Sequence, residues 1–370
     1  MIFVKIHRIN HFTNSAKVVL CKRLHVLFLK ISAKKERLHK MTGDFGFGAM
    51  IDKLKKSPKT IVFTEGCDPR ILEASSRLLA SSFLKPILIG FPDDIYSAAE
   101  EACFNIRGAK IIDPNNFDDI DKMVDTFVEL RKSKGVTPEE AREMLGKPNY
   151  FGTMLVKMGY ADALLGGATY STADTVRPAL QLIKTKPGNK IVSSCFILVR
   201  PGATNGNEVL AMGDCAINIK PNEDELVEIA EETIKCARLF GVDPSVAFLS
   251  YSTDGSGKGE DVDKMRNAAR KTKQKNPTVP IDGEMQFDAA VSSRVAQKKF
   301  PTSEVAGHAN TFIFPDINAG NIGYKIAQRL GRFDAYGPIL LGLNSPINDL
   351  SRGCNAIEVY SMAIITAALA

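Results

Sequence analysis

Short runs of β-branched and apolar residues alternate with longer amphipathic segments along most of this chain of 370 residues. Segments with helical periodicity separate the runs, among them residues 69–80 and 172–183. Such alternation is typical of parallel sheets with helices on both faces, so the sequence predicts an α/β fold with mainly parallel sheets. The runs expected to form strands are 60–64, 85–90, 163–167, 191–199, 209–212, 246–250 and 311–314.

The stretch from residue 312 onward combines small residues in a way that suits anion binding. An apolar run ends at Asp316, a small-residue turn is expected next, and a helix is expected from Tyr324. Glycine beside asparagine at such a turn lets backbone N–H groups approach an anion, and a helix N-terminus adds partial positive charge. The candidates for phosphate binding in this turn are Asn318, Gly320, Asn321 and Gly323.

A second group follows in the segment 348–353, which places Asp349, Ser351 and Arg352 within six positions. The planar fork of an arginine binds phosphate well, so this segment suits an enzyme that handles phosphate at a carbonyl. Cys354 comes directly afterwards. Because no histidine lies near it in sequence, we interpret it as a small buried residue and not as a nucleophile.

The charge of the chain is unevenly distributed. Residues 1–40 contain ten Lys/Arg and one Glu, a net charge of +9, whereas the whole chain carries +6, so the remaining 330 residues carry −3. Because these 330 residues are mildly acidic, the composition does not favour nucleic-acid binding. We therefore expect small-molecule substrates and no nucleic-acid partner.

The basic segment 1–40 is expected to be an extension outside the fold. It is compatible with a transit peptide, but the absence of a small-residue cleavage signal favours upstream translation from a non-native start, with Met41 as the true beginning. Its apolar part, residues 18–31, is interrupted by Lys22, Arg23 and Lys30. No membrane span is expected there.

The seven cysteines are scattered without the spacing of a metal site. Reduced thiols in a cytoplasm are the simple interpretation. The body of the chain also lacks a clustered His/Cys/Asp ligand set, so we expect no protein-bound metal.

Several long blocks resemble the phosphate acetyltransferase (phosphotransacetylase) family, which passes an acetyl group between acetyl phosphate and coenzyme A. The resemblance extends from about Ile51 to the C-terminus, and the blocks that carry it occur in the family's order. They are EGCDPRILEA (65–74), GYADALLGGATYSTADTVRPALQ (159–181), STDGSGKGEDVDKMR (252–266), DGEMQFDAA (282–290) and the segment 312–354.

The resemblance implies two three-layer α/β domains, the second inserted into the first, with the active-site cleft between them. The first domain would comprise about 41–187 plus 339–370, and the second about 188–338. The segments Lys186-Pro187-Gly188 and Gly337-Pro338 are typical of hinges on sequence grounds as well. The resemblance also implies a homodimer.

The resemblance assigns catalytic roles at three positions. Ser351 and Arg352 match the family's Ser-Arg pair, which orients the reacting groups and neutralises charge on phosphate. Glu358 stands seven residues after Ser351, where the family usually has the aspartate taken to deprotonate the coenzyme A thiol. This departure keeps the carboxylate but lengthens its reach, and Asp349 is the reserve candidate for the base.

Further positions match family residues that bind or orient substrate. These are Arg131, Arg177 and Arg329, for which surface charge is the competing interpretation. Asp254 stands where the family commonly has a lysine, and Lys258 is the candidate substitute for that contact. Additional candidates for the phosphate cradle are Tyr170, Ser171 and Thr172.

The expected reaction is reversible acetyl transfer by direct thiolate attack in a ternary complex, with no cofactor beyond the substrates. One alternative is the same chemistry on a longer acyl group, as in phosphate butyryltransferases. Another is a metal-dependent decarboxylating dehydrogenase, which would need clustered aspartates and a nicotinamide site. A third is a non-catalytic sensor of coenzyme A or acyl phosphate.

Overall fold

The computed structural model describes residues 47–203 and 206–370, with side chains omitted for 201–207. The predicted extension 1–40 and Met41 lie outside the described residues. The strands are β1 Lys59–Phe63, β2 Leu84–Ile89, β3 Lys110–Ile112, β4 Ala163–Gly166, β5 Ser193–Ala203, β6 Gly206–Gly213, β7 Val246–Leu249, β8 Ile281–Met285, β9 Thr311–Ile313, β10 Asp334–Leu341 and β11 Ile347–Asp349.

Helices separate most of these strands. The α-helices are Phe47–Lys56, Pro69–Ser81, Pro92–Glu101, Ile120–Arg131, Pro138–Leu145, Pro148–Lys157, Thr172–Pro178, Glu223–Leu239, Glu260–Lys275, Phe287–Val291, Ser293–Lys299, Ile317–Arg329 and Ala356–Ala368. Short 3₁₀ turns occur at Pro114–Asn116 and Lys132–Lys134, and a π-helical turn occurs at Ala179–Ile183. The predicted strands and the alternating α/β pattern are confirmed.

The strands form two sheets. One has five strands in the order β11-β4-β1-β2-β3, all parallel. The other has six in the order β10-β5-β6-β9-β7-β8, parallel except for the two antiparallel pairings of β5. The fold is therefore α/β with mainly parallel sheets, as the sequence predicts.

The six-stranded sheet is built from a continuous stretch of chain, 193–341, that leaves the five-stranded sheet after β4 and returns to it at β11. Gly337-Pro338, an expected hinge, lies inside β10, which continues to Leu341. The domain limits derived from the family resemblance stay a prediction.

The C-terminal helix Ala356–Ala368 links the two sheets. It contacts β1, β4 and β11 of the first sheet and β10 of the second. Eleven of its residues are buried, including Val359, Ile364 and Ile365. A helix that is apolar on every face requires burial on every face, and this position provides it.

One local prediction is wrong. Residues 318–323 do not form a turn before a helix at Tyr324; they are the first turns of the helix Ile317–Arg329. The helix begins early because the Asp316 side chain caps it, accepting a hydrogen bond from the Ala319 N–H at 3.0 Å.

The segment 172–183 also differs in detail from the prediction of one helix. The α-helix ends at Pro178, and a π-helical turn follows it. Pro178 lies at the last position of this α-helix, where its missing N–H and its ring disturb the regular hydrogen-bond ladder.

Candidate functional site

Three neighbouring strands of the five-stranded sheet direct their following loops to one edge. β11, β4 and β1 are adjacent and parallel, so their carboxyl ends meet on the same side of the sheet. The loops that follow them begin at Thr64, Gly167 and Leu350. Leu350 N–H donates to the Gly166 carbonyl at 2.7 Å, which joins the β11 loop to the end of β4.

A cleft of about 440 Å³ opens at this edge and is closed on its other side by the six-stranded sheet and the helix Ile317–Arg329. It is therefore lined by residues from both sheets. The lining residues are Phe196, Tyr324, Lys325, Gln328, Arg329, Ala335, Tyr336, Gly337, Pro338, Asp349, Leu350, Ser351, Gly353, Cys354, Glu358 and Met362.

Glu358 lies in the cleft at the start of the C-terminal helix. Its Oε2 accepts a hydrogen bond from the Asn355 N–H at 2.9 Å, while the Asn355 side chain accepts from the N–H groups of Ile357 and Glu358. This reciprocal pair is a capping box, which fixes both the helix start and the carboxylate. A carboxylate held in this way, with Oε1 outside the cap, is placed to accept a proton in the cleft.

Ser351 and Arg352 lie on the turn that follows β11. Ser351 lines the cleft and is exposed. The Arg352 carbonyl accepts a hydrogen bond from Arg70 Nη1 at 2.8 Å. The Arg352 side chain is exposed to solvent; Arg352 itself is not among the lining residues, but its neighbours Ser351 and Gly353 are. The Ser351 hydroxyl oxygen accepts a hydrogen bond from the Gly353 N–H at 3.3 Å, and its own O–H remains to donate to a ligand. Arg70 fixes the turn through its backbone, and the Arg352 side chain stays exposed.

The helix Ile317–Arg329 contributes two cations to the lining of the cleft. Lys325 and Arg329 lie four positions apart on the helix Ile317–Arg329 and both line the cleft. Lys325 Nζ lies 5.7 Å from the ring centroid of Tyr324. The cleft thus has positive charge on one wall and the Glu358 carboxylate on the other.

Asp349, the reserve candidate for the base, is buried at the base of the cleft. It accepts hydrogen bonds from Thr172 Oγ1 at 2.6 Å and from Thr175 Oγ1 at 2.5 Å. Burial raises the pKa of Asp349, although the two threonine hydrogen bonds lower it in part. Thr172 and Thr175 both lie on the helix Thr172–Pro178, and their hydroxyl groups hold the Asp349 carboxylate in the wall of the cleft.

A related group of hydroxyls connects β1 with the β4 loop. Thr64 Oγ1 donates to Glu65 Oε2 at 2.7 Å and lies 2.8 Å from the Tyr170 hydroxyl. Glu65 Oε1 accepts from the Gly167 and Thr169 N–H groups at 3.0 and 3.1 Å. Burial raises the pKa of Glu65 and of Tyr170, so neither group is an easily titrated acid or base.

Arg131 and Arg177 do not line the cleft. Burial raises the pKa of the Tyr150 hydroxyl, and both guanidinium groups oppose that shift by their charge. The Tyr150 hydroxyl donates to Gln181 Oε1 at 3.0 Å. The Asp174 carboxylate acts in the opposite direction and adds to the rise of that pKa, so the charge around this hydroxyl is mixed.

The four residues predicted as a phosphate-binding turn lie outside the lining of the cleft. Gly320 packs so closely on the Asp214 carbonyl that a Cβ would lie 2.3 Å from that oxygen. The Asn321 side chain donates to the Cys215 carbonyl at 3.0 Å, Gly323 packs near the Phe314 ring, and Asn318 is exposed. These contacts position the helix that carries Lys325 and Arg329.

Other predicted residues are local supports of the β4 loop. The Ser171 hydroxyl donates to Asp174 Oδ2 at 2.7 Å at the start of the helix Thr172–Pro178, and Thr172 bonds Asp349 as described above. Tyr170 contacts Thr64. Of the three predicted cradle residues after β4, Thr172 is therefore the one joined to the cleft wall.

The loop 252–258 is organised around the buried carboxylate of Glu284. Glu284 accepts hydrogen bonds from the Ser252 hydroxyl and the Gly255 N–H, both at 2.9 Å, and from Arg266 Nε at 2.8 Å. Neither Asp254 nor Lys258 is among the residues that line the cleft.

Three residues in or beside the cleft were not predicted from the sequence: Glu65, Arg70 and Lys325. Glu65 and Arg70 follow β1, and the signal that places them is the order of strands in the sheet, which brings the end of β1 beside the ends of β4 and β11. Lys325 is four residues before Arg329, so the helical spacing would have found it once the helix was known.

Within the ranges 47–203 and 206–370, no group of three or more His, Cys, Asp or Glu side chains could hold a metal ion. No helix in those ranges is both long and apolar enough to cross a bilayer. Six cysteines are described, and all are free thiols.

Residues 47–367 match the family described as phosphate acetyl/butaryl transferase. A phosphate acetyltransferase of Bacillus subtilis is 52% identical over 324 residues, which cover 88% of this chain and 98% of the relative. A phosphotransacetylase crystal structure from Streptococcus pyogenes superposes with a TM-score of 0.84 at 51% identity, covering 88% and 97% of the two chains. A Staphylococcus aureus phosphotransacetylase gives a TM-score of 0.80 at 46% identity, covering 88% and 99%.

Proposed function

The chain belongs to the phosphate acetyl/butaryl transferase family, and from this membership we propose how the residues of the cleft divide the work of the reaction. The activity is that of a phosphate acetyltransferase. It transfers an acetyl group reversibly between acetyl phosphate and coenzyme A. The assignments below rest on the position of each side chain.

The observation that carries the assignments is the shared lining of the cleft. Ser351 and Glu358 reach it from the turn and helix after β11, and Arg329 reaches it from the facing helix. Acetyl transfer to a thiol requires a base, groups that orient the carbonyl, and positive charge for the departing phosphate. Glu358 is assigned as the base, Ser351 as the group that orients the carbonyl, and Arg329 as the positive charge.

Glu358 is the proposed base. A free thiol has a pKa of about 8.5, so only a small part is thiolate at neutral pH and a positioned base raises that fraction at the moment of attack. The capping box holds Oε2 and leaves Oε1 to accept the proton. A general base of this kind contributes about 10²- to 10⁴-fold to the rate.

Arg329, Lys325 and Arg352 are proposed to hold the phosphate group. Arg329 and Lys325 line the cleft, and Arg352 is exposed on the turn between the lining residues Ser351 and Gly353. Their charges oppose the negative charge that grows on the carbonyl oxygen and on the phosphate as it leaves. Ser351 orients the acetyl carbonyl or the thiol by hydrogen bonding.

Coenzyme A itself carries phosphates distant from its thiol. We assign these to Arg131 and Arg177, which match family positions that bind or orient substrate and lie outside the cleft lining. Lys258 is a further candidate for such a contact, because Asp254 replaces the lysine usual in the family.

The transfer is proposed to be direct. The thiol proton passes to Glu358, the sulfur forms a bond to the acetyl carbon, and the bond from that carbon to the phosphate oxygen breaks with its electron pair leaving on phosphate. The reaction needs no cofactor besides its two substrates. Cys354 lines the cleft, but burial raises the pKa of its thiol to about 11, which disfavours an acyl-enzyme on this residue.

The test is coenzyme A-dependent release of phosphate from acetyl phosphate, without added metal, by the wild type, Glu358→Gln and Arg352→Ala. We expect the wild type to turn over and each variant to lose about two orders of magnitude in kcat. A Glu358→Gln enzyme that keeps full activity would reassign the base, with Asp349 next. A trapped acetyl-enzyme competent for turnover would contradict direct transfer.

We also propose a homodimer located in the cytoplasm. Ile322, Ile326 and Leu330 are 57%, 54% and 80% exposed and are spaced four residues apart, the first two on the helix Ile317–Arg329 and Leu330 at its C-cap. Ile326 also lines an apolar cavity of about 590 Å³ together with Phe287 and Val291. A contiguous apolar surface of this kind is typical of a subunit interface, and free thiols are typical of a reducing compartment.

A further inference from the structure

The guanidinium group of Arg70 uses all five of its N–H bonds. Nε and Nη2 donate to the two carboxylate oxygens of Asp68 at 2.9 and 2.7 Å. Nη2 also donates to the Ala168 carbonyl at 2.9 Å. Nη1 donates to the carbonyls of Arg352 at 2.8 Å and Cys354 at 3.2 Å, with the Cys354 sulfur 3.6 Å away.

These partners belong to the loops after three different strands. Asp68 follows β1, Ala168 follows β4, and the turn 351–354 follows β11. Because the three strands are neighbours in one parallel sheet, a single guanidinium can reach all three loops. Arg70 therefore fixes the position of the turn relative to the two other loops of the same edge.

The turn that Arg70 holds is the part of the cleft with the reacting groups. Ser351, Gly353 and Cys354 line the cleft, and the turn leads into the helix that carries Glu358. Arg70 binds the turn only through two carbonyl oxygens and a sulfur, so it leaves the Ser351 hydroxyl and the Arg352 side chain unengaged.

The charge of Arg70 is already neutralised. Asp68 accepts with both carboxylate oxygens, in the bidentate geometry that an arginine forms best. A guanidinium with its five donors used and its charge paired has nothing left to offer a phosphate. Its contribution is therefore the geometry of the turn and not the binding of an anion.

We propose that Arg70 is a positioning residue for acetyl transfer: its guanidinium holds the carbonyls of Arg352 and Cys354 so that the turn presents Ser351 and Arg352 to the substrates. This proposal rests on the proposed assignment of Ser351 and Arg352 to the reaction. Lysine cannot replace the arginine, because three donors on one nitrogen cannot reach the Asp68 carboxylate and the carbonyls of the two other loops at once.

The test compares Arg70→Ala and Arg70→Lys with the matched pair Arg77→Ala and Arg77→Lys. Arg77 lies on the same helix, is similarly exposed (24% against 27% for Arg70) and is also paired with an acid, Glu73. We expect both Arg70 variants to lose about 10²-fold in kcat, the scale of a small misplacement of reacting groups. Their KM for coenzyme A and acetyl phosphate should stay within about threefold, and the Arg77 variants should resemble the wild type.

Chemical rescue separates positioning from a general effect on the fold. Guanidinium ions at millimolar concentration should restore kcat of Arg70→Ala by at least about tenfold, whereas methylammonium should not, because only a planar fork can reach the three loops. Guanidinium should leave Arg77→Ala unchanged. Asp68→Asn provides a second variant, since it weakens the partner that orients the guanidinium, and a smaller loss of kcat is expected.

Three results would overturn the proposal: wild-type kcat in folded Arg70→Lys, a rise in KM alone, or no recovery with guanidinium. Failure of both Arg70→Lys and Asp68→Asn to fold would also overturn it, because the cluster would then be required for folding. A wild-type enzyme without coenzyme A-dependent turnover would instead refute the proposed function, and that result is distinct from all of these.

Discussion

Asn355 and Glu358 cap each other at the start of the C-terminal helix: the Asn355 N–H donates to Glu358 Oε2 at 2.9 Å, and the Glu358 N–H donates to Asn355 Oδ1 at 3.1 Å. The proposed base is thus also a structural residue. Substitutions at these two positions can separate the roles, because an amide accepts a capping hydrogen bond but does not accept a thiol proton.

Glu358→Gln should keep the cap and lose the base. Gln is as suitable as Glu at this position of a capping box, so we expect the free energy of unfolding to change little. The kcat should fall by about 10²- to 10⁴-fold. Urea denaturation and steady-state kinetics check the two statements, and Glu358→Asp, which restores the acid usual in the family, should keep kcat within about tenfold of the wild type.

Asn355→Ala should lose the helix cap and keep the base. Loss of the side-chain acceptor leaves the N–H groups of Ile357 and Glu358 without their cap, which should cost about 0.5–2 kcal/mol of stability. The carboxylate stays in the cleft, so kcat should fall far less than in Glu358→Gln. An Asn355→Ala enzyme that is fully stable but inactive would contradict this division of roles.

Asp349 should make stability depend on pH in a defined direction. Burial raises the pKa of this carboxyl above its unfolded value of about 4, so its contribution to stability is present below that pH and is lost as the pH rises through the folded pKa. Asp349→Asn cannot ionise. The unfolding free energy of Asp349→Asn minus that of the wild type should therefore increase from acid to neutral pH.

Denaturant unfolding of both proteins at a series of pH values measures this difference. Thr172 and Thr175 can rotate their hydroxyls to suit an amide, so the variant is expected to fold. A difference that stays constant with pH would show that the carboxyl of Asp349 has the same pKa in the folded and unfolded protein, which would contradict the expected shift. Loss of kcat in Asp349→Asn with full activity in Glu358→Gln would identify Asp349 as the base.

The strands could be predicted because each corresponds to a short run of apolar and β-branched residues, a pattern that is visible within a few positions of the sequence. The run 60–64 appears as Lys59–Phe63 and the run 85–90 as Leu84–Ile89. The helix from Ile317 was missed because Asn and Gly favour turns in isolation. Tertiary contacts favour the helix instead, since Gly320 packs against the Asp214 carbonyl and the Asn321 side chain donates a hydrogen bond to the Cys215 carbonyl.

The site was only partly predictable for a different reason. Ser351, Glu358 and Arg329 were found by resemblance, and the cleft brings them together. Arg70 lies 282 positions from Arg352 in sequence, so its role emerges only from the order of the strands. Local sequence identifies residue types that suit the chemistry, whereas contacts between distant loops depend on the sheet.

Cys354 should prove dispensable and unreactive. Burial raises the pKa of its thiol to about 11, and although Arg70 lowers it, Glu358 raises it further. Little thiolate is therefore present near neutral pH, and Cys354→Ser should keep kcat within about threefold of the wild type. Alkylation with iodoacetamide followed by peptide mapping should modify the exposed Cys67 and Cys103 before Cys354. Rapid modification of Cys354, or an inactive serine variant, would contradict the expectation.

Ile326→Glu should dissociate the proposed homodimer. Ile326 is 54% exposed between Ile322 and Leu330 on one helical face, and a charge at the centre of an apolar interface would have to be desolvated without a partner. Sedimentation velocity should show a monomer for the variant and a dimer for the wild type. Tyr96→Glu is the matched control, because Tyr96 is similarly exposed, at 55%, on the distant helix Pro92–Glu101. A dimer that survives Ile326→Glu but not Tyr96→Glu would move the interface to the five-stranded sheet's side of the molecule.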